Sequence, residues 1–275
     1  MTQVFAGLFL VLAVASMAGF TLHRRKPSPM VDNLNARIRA WWVMVTIGGL
    51  ALLAGHYALI ALFAGLSWVA LSEFLSPLRW RTIIWVTWLF QYGVLAAGSL
   101  AAALVIVPAL AVVSGNGRSV AGILLCVYGL AHAPAMLLLN VNGGSTSLLL
   151  FVVLIVQASD VLQYIWGNLL GRHKIAPHLS PGKTVEGFIG GVLSATLLGA
   201  LLFRLTPFPR WEAAGLALLL TVSGFLSSLV LSAFKRQRGI KDWGHAIPGH
   251  GGVLDRVDSL CLSAPVSYYF VLWLA

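Results

Sequence analysis

Residues 232–258 read SAFKRQRGIKDWGHAIPGHGGVLDRVD. These 27 residues hold five cationic side chains, three carboxylates and two histidines. Apolar runs flank them on both sides, at about 212–234 and 257–275. Runs of that length cross a bilayer, so the charged stretch reads as a connection between two transmembrane helices. Burying so many charges as mere packing is expensive. The stretch therefore reads as a site for a multiply charged ligand, with phosphate and a divalent metal as the first choice.

The rest of the chain supports a membrane setting. Charged residues make up 9% of the 275 and hydrophobic residues 59%, against roughly 25% charged in soluble domains. Apolar runs stand at about 2–22, 40–55, 57–76, 82–98, 99–115, 119–139, 147–170, 184–203, 212–234 and 257–275. The expected fold is all-α, a polytopic integral membrane bundle of about 9–10 transmembrane helices. The pair within 82–115 is short and includes the option of a re-entrant piece. With ten spans, every Lys and Arg except Arg204 and Arg210 falls on one side. Positive charge collects on the cytoplasmic side, which explains the net charge of +10 without nucleic acid. It also places the protein in the inner (cytoplasmic) membrane with the site facing the cytoplasm. Cys126 and Cys261 lie in apolar runs and form neither a disulfide framework nor a zinc pattern.

The first run lacks a basic segment before it and carries its basic cluster after it, so it reads as a retained helix rather than a signal peptide. Residues 23–39 read as a polar linker. The expected layout is an extra N-terminal helix and basic linker at 1–37, then a membrane-embedded domain at 38–275.

Several residues carry chemistry. Lys235, Arg236, Arg238 and Lys241 begin where the ninth span meets the aqueous side. Such a cluster alone is a lipid-attracting stop-transfer signal, but it does not account for Asp242, Asp255 and Asp258. The last two, three apart at a helix start, share a face, where they serve either as caps or as ligands for a hard cation. Gly249, Gly251 and Gly252 before that helix permit close backbone approach to an anion. Asp160 sits inside an apolar run, and an intramembrane carboxylate marks a functional site by default. The loop from Gly171 to Thr184 brings Lys183 to a helix start. Gly182-Lys183-Thr184 hints at a phosphate loop, but the upstream glycine is missing and no strand is expected before it. His56 and His132 read as packing residues.

The motifs Ser232-x-x-Lys235-Arg236, Lys241-Asp242, Pro248-x-His250-Gly251-Gly252 and Asp255-Arg256-x-Asp258 resemble the signature of the CDP-diacylglycerol synthases (phosphatidate cytidylyltransferases). Asp160-x-x-x-Tyr164-x-x-Gly167 and Ser180-Pro181-x-Lys183-Thr184-x-Glu186-Gly187 resemble that family's second motif region. The resemblance covers about 38–275. It implies an integral membrane enzyme that joins CTP to phosphatidate, or a related lipid phosphate, giving CDP-diacylglycerol and pyrophosphate for phospholipid biosynthesis. It assigns Asp160, Asp255 and Asp258 to Mg²⁺, with a second cation as an option. It assigns Lys183, Lys235, Arg236, Lys241, Asp242, His250 and Arg256 to catalysis. Tyr164, Ser180, Thr184, Glu186, Ser232, Gly251 and Gly252 would bind substrate. The implied partners are CTP, the lipid phosphate and membrane lipid, with no nucleic acid and a homodimer as candidate assembly.

The chain departs from that pattern in places. Ser227-Ser228 stand where the family carries Gly-Asp, Gly182 where Lys is frequent, and Val185 where an aromatic is common. The resemblance then implies a divergent paralogue. Two alternatives remain at this point: a transporter or flippase of an anionic lipid or phosphate compound, and a catalytically inactive paralogue. A transporter places its polar groups near the midplane, whereas most of these lie at one end of the spans.

Overall fold

The computed structural model describes residues 2–25, 28–75, 82–114, 117–141, 144–247 and 251–274. The chain is helical almost throughout. In order come α1 (Thr2–Arg25), α2 (Pro29–Ala54), α3 (His56–Leu75), α4 (Thr82–Ala96), α5 (Ala101–Val113) and α6 (Gly117–Gly122). A π-helical stretch (Ile123–Gly129) joins α6 to α7 (Leu130–Ala135). There follow α8 (Ser145–Leu170), α9 (Val185–Leu201), α10 (Arg210–Gln237), α11 (Leu254–Val257) and α12 (Leu260–Leu274). Among the described residues seven helical segments are long and apolar enough to cross a membrane. The protein is an all-α polytopic integral membrane bundle.

Three apolar helices are shorter. The 15 residues of α4 and 13 of α5 rise about 20 Å each, below the roughly 30 Å hydrocarbon core. They pack on each other as a hairpin around the turn at 97–100. A hairpin returns the chain to the side it left, whether or not it crosses fully, so charge segregation survives.

Two local expectations give way. The segment read as a linker at 23–39 is largely helix, because α2 begins at Pro29. Ser28 caps it by accepting a hydrogen bond from the Val31 N–H, and proline occupies the first turn, where no N–H is required. The loop at 171–184 contains an antiparallel pair, β1 (Lys174–Ala176) and β2 (Ser180–Thr184), with Lys174 opposite Thr184. A strand, β1, therefore does precede Gly182-Lys183-Thr184, but the triplet itself lies within β2, and the glycine pattern of a phosphate loop is still missing.

The core lies where α3, the π-helical stretch, α7, α8, α10 and α12 meet. Phe74, Leu71, Leu148, Phe151, Ile155, Leu216, Leu220 and Cys261 are fully enclosed there. The rim is apolar and exposed, as at Leu53, Leu197 and Trp273, which is the surface that lipid covers. Helices α8 and α9 approach closely through glycine. A Cβ on Gly187 would stand 2.9 Å from the Gly167 Cα and 2.8 Å from the Gln163 carbonyl oxygen, so small residues set this crossing. That crossing brings the end of β2 against α8 and α10.

Candidate functional site

Ser228, Ser232 and Lys235 stand at i, i+4 and i+7 on one face of α10. Opposite them α11 stops at Val257 and α12 starts at Leu260. Asp255 and Asp258, about one turn apart, engage different partners.

Asp258 goes to Asp160. The Ser259 hydroxyl donates to Asp160 Oδ2 at 2.5 Å, and the Ser259 N–H donates to Asp258 Oδ1 at 2.7 Å. The two carboxylates thus meet across one serine. Among the described residues the hydrogen bonds engage only Oδ2 of Asp160 and Oδ1 of Asp258. Ser227 pins the same backbone: its hydroxyl donates to the Asp258 carbonyl and accepts from the Leu262 N–H at 3.3 Å.

Lys183 faces this pair from the end of β2. Its ammonium donates to the Ser228 hydroxyl and lies 4.4 Å from the centre of the Phe225 ring. The Ser228 proton points to the Phe225 carbonyl at 3.1 Å, which leaves the Ser228 oxygen as an acceptor for the ammonium. Burial holds Lys183 below the usual lysine range, opposed by Asp258 and then Asp160. Arg256 is held through its carbonyl by the Gln157 amide at 3.1 Å. Its Nε is a buried donor with no acceptor among the described residues.

Asp255 makes a brace. Lys235 Nζ donates to Oδ1 at 2.8 Å, while the N–H groups of Trp243 and Gly252 donate to Oδ2 at 2.8 and 3.0 Å. Both partners of the ion pair are buried, with side chains 12% and 5% exposed. Gly251 serves this turn directly. Its φ of +82° favours glycine, and a Cβ there would stand 2.8 Å from Asp255 Oδ2 and 3.3 Å from the Asp242 Cβ.

The remaining candidates spread around this centre. Arg236 donates to the carbonyls of Leu179 at 3.0 Å and Ile240 at 3.3 Å, so it ties the hairpin to the end of α10. Thr184 caps α9 by accepting the Gly187 N–H. Glu186 accepts the N–H groups of Arg172 and His173 and lies 2.6 Å from His173 Nδ1, which closes the base of the hairpin. Ser180 pairs with Ala176 across the hairpin. Ser232 is buried on α10, Lys241 and Asp242 are exposed, and Tyr164 is exposed on α8 one turn beyond Asp160. His250, with Pro248 and Gly249, lies outside the described residues.

Sequence reasoning passed over Glu73. Its carboxylate accepts the N–H groups of Val253 at 3.0 Å and Leu254 at 2.8 Å, and so caps α11. A Cβ on Gly252 would stand 2.5 Å from Glu73 Oε2. The signal was available, because Glu73 is a lone carboxylate in an apolar run, as Asp160 is. Ser259 and Ser227 carried no such signal, since a serine in a span is ordinary.

A family model described as the cytidylyltransferase family matches residues 35–274. An uncharacterized protein, YnbB, of Escherichia coli (strain K12) is 34% identical over 288 residues, covering 97% of this chain and 96% of its own length. The phosphatidate cytidylyltransferase of Staphylococcus aureus (strain COL) is 36% identical over 172 residues, or 61% of this chain and 66% of that protein. That of Staphylococcus saprophyticus is 36% identical over 159 residues, 56% of this chain and 61% of its own length. The match thus spans somewhat under two thirds of each staphylococcal enzyme.

Proposed function

The chain belongs to the cytidylyltransferase family, and on that premise we propose that it joins CTP to phosphatidate, or a related lipid phosphate, to give CDP-diacylglycerol and pyrophosphate. The observation that carries this reading is the meeting of Asp160 and Asp258 at Ser259, faced by Lys183, beside a buried Arg256 N–H that has no acceptor among the described residues. Carboxylates and cations gathered so closely suit a polyphosphate that brings its own negative charge.

The donor set fits Mg²⁺. That ion takes one or two carboxylates and fills its shell with water and substrate phosphate oxygens. Asp160 and Asp258 would hold one such ion, and Asp255 would act as their support. Bound there, it supplies charge neutralisation to the triphosphate.

The transfer asks for little proton chemistry. A lipid phosphate oxygen, largely ionised at neutral pH, bonds to the α-phosphorus of CTP. The bond from that phosphorus to the bridging oxygen breaks, and pyrophosphate leaves with the electron pair. Catalysis is then positioning and electrostatic stabilisation, the work of Lys183 and Arg256. Val161, Tyr164 and Ile165 are exposed within about a turn of Asp160 and offer acyl chains an apolar approach. The segregation of Lys and Arg supports a site on the cytoplasmic face of the inner membrane.

Asp160→Asn and Asp258→Asn test the reading. Each is expected to lower turnover by on the order of 10²-fold or more and to raise the Mg²⁺ requirement, while the melting temperature holds. Unchanged turnover in both variants would remove the pair from the site.

A further inference from the structure

The hairpin that carries Lys183 is tied to the end of α10 by one guanidinium. Arg236 Nε donates to the Leu179 carbonyl at 3.0 Å, and Nη1 donates to the Ile240 carbonyl at 3.3 Å. The second contact seats the guanidinium on a well-built helix stop. Gly239 takes a φ of +67°. Its N–H donates to the Arg236 carbonyl, and the Ile240 N–H donates to the Lys235 carbonyl, each at 3.0 Å. That paired return is how a glycine ends an α-helix. The first contact reaches Leu179, the residue directly before β2, whose own N–H closes the turn on the Ala176 carbonyl at 3.1 Å.

Lys183 lies four residues further along that strand. Its ammonium meets α10 at the Ser228 hydroxyl and at the Phe225 carbonyl, 3.5 Å away. Ser228 and Arg236 are eight residues apart, about 12 Å along a helix. Leu179 and Lys183 are about 13 Å apart along a strand. The two spacings match, so β2 runs back beside the last turns of α10 and is tied to it at both ends. Thr184 is fixed in addition by its cap on α9. The outer end of β2 has only the three-residue β1 as its strand partner, across an irregular register. A lone two-stranded hairpin is marginally stable at best, so the tie at Leu179 matters most there.

We propose that Arg236 is a positioning residue: through its Nε–H it holds the hairpin along α10 and so sets the Lys183 ammonium at the Asp160–Asp258 centre. Charge alone would make Arg236 a phosphate ligand. Its contacts are instead with two neutral carbonyl oxygens, and the tie to Leu179 needs a donor at Nε rather than a charge. That Lys183 then serves CTP rests on the proposed cytidylyl transfer; the tie itself does not.

Glutamine and methionine separate the donor from the charge. Glutamine Nε2 follows Cδ, as arginine Nε does, so Arg236→Gln keeps a donor at that place without the charge. Arg236→Met is of similar length and has no donor. Arg236 is exposed, so neither variant disturbs the core, and exchange in α8 serves as the control for folding. Hydrogen exchange of peptides from 174–184, and labelling of Lys183 by a water-soluble amine-reactive ester, are read by mass spectrometry on the full-length protein without CTP or lipid phosphate. Arg236→Met is expected to raise both roughly tenfold, the effect of losing one charge-assisted hydrogen bond, and Arg236→Gln to stay within about threefold of the unmodified protein. Turnover should follow the same order. Unchanged exchange and labelling in Arg236→Met overturn the proposal, as does an equal rise in both variants. Equal loss of turnover in both, with the hairpin of Arg236→Gln still protected, would make Arg236 a phosphate ligand and overturn it too. If the unmodified protein forms no product, the proposed reaction fails, while exchange and labelling still decide the tie.

Discussion

Asp255→Asn separates a structural brace from a metal ligand. In the native protein one carboxylate oxygen takes the Lys235 ammonium and the other takes two backbone N–H groups. Asparagine keeps one oxygen and turns the other into a donor. Either Lys235 loses its buried counter-charge, or the amides of Trp243 and Gly252 face an NH₂ group. Removing one partner of a buried ion pair costs about 3–5 kcal/mol, and the side chains here are only 12% and 5% exposed. For a chain of this size such a loss lowers the melting temperature by on the order of 10 °C. Heating in detergent, followed by size-exclusion chromatography with intrinsic fluorescence, reads that shift. The paired exchange Lys235→Met/Asp255→Leu should recover part of it, because no uncompensated charge remains. A native melting temperature together with an altered Mg²⁺ requirement in Asp255→Asn would refute the reasoning and return Asp255 to the metal set.

Glu73→Gln should destabilise the turn before α11 by about 1–3 kcal/mol, since it weakens two charge-assisted hydrogen bonds; hydrogen exchange at Val253 and Leu254 would rise, and unchanged exchange would deny the cap. Gly251→Ala should lower both stability and turnover, because its φ of +82° and the nearness of Asp255 Oδ2 leave no room for a methyl group, and a thermal melt checks it. Ser228→Asp would put a carboxylate against the Lys183 ammonium; turnover or metal dependence should change, and if neither moves, the absent carboxylate is not limiting.

The helical class was legible because apolar runs and charge segregation are coarse signals that survive errors of a few residues. The start of α2 was misread even though Ser28 and Pro29 announce it, because the surrounding charges looked like linker. The partners of Asp255 and Asp258 are tertiary: Lys235 on α10 reaches Asp255, Ser227 on α10 holds the Asp258 carbonyl, and Ser259 reaches Asp160, and short-range pattern contains none of these contacts. The resemblance names Arg236 and Glu186, but the contacts they make here, Arg236 with the Leu179 carbonyl and Glu186 with the Arg172 and His173 N–H groups and the His173 ring, exist only once the hairpin has folded. Glu73 is the plainer omission, since the rule that singled out Asp160 applies to it equally.

The account turns on whether the Asp160–Asp258 centre transfers cytidylyl groups. The direct measurement is CTP-dependent conversion of phosphatidate by the purified protein in mixed micelles with Mg²⁺, run beside Asp258→Asn. The account predicts CDP-diacylglycerol and pyrophosphate from the unmodified protein and at least about a hundredfold less from the variant. Equal product from both would contradict it, as would no product from folded protein with phosphatidate or any other lipid phosphate.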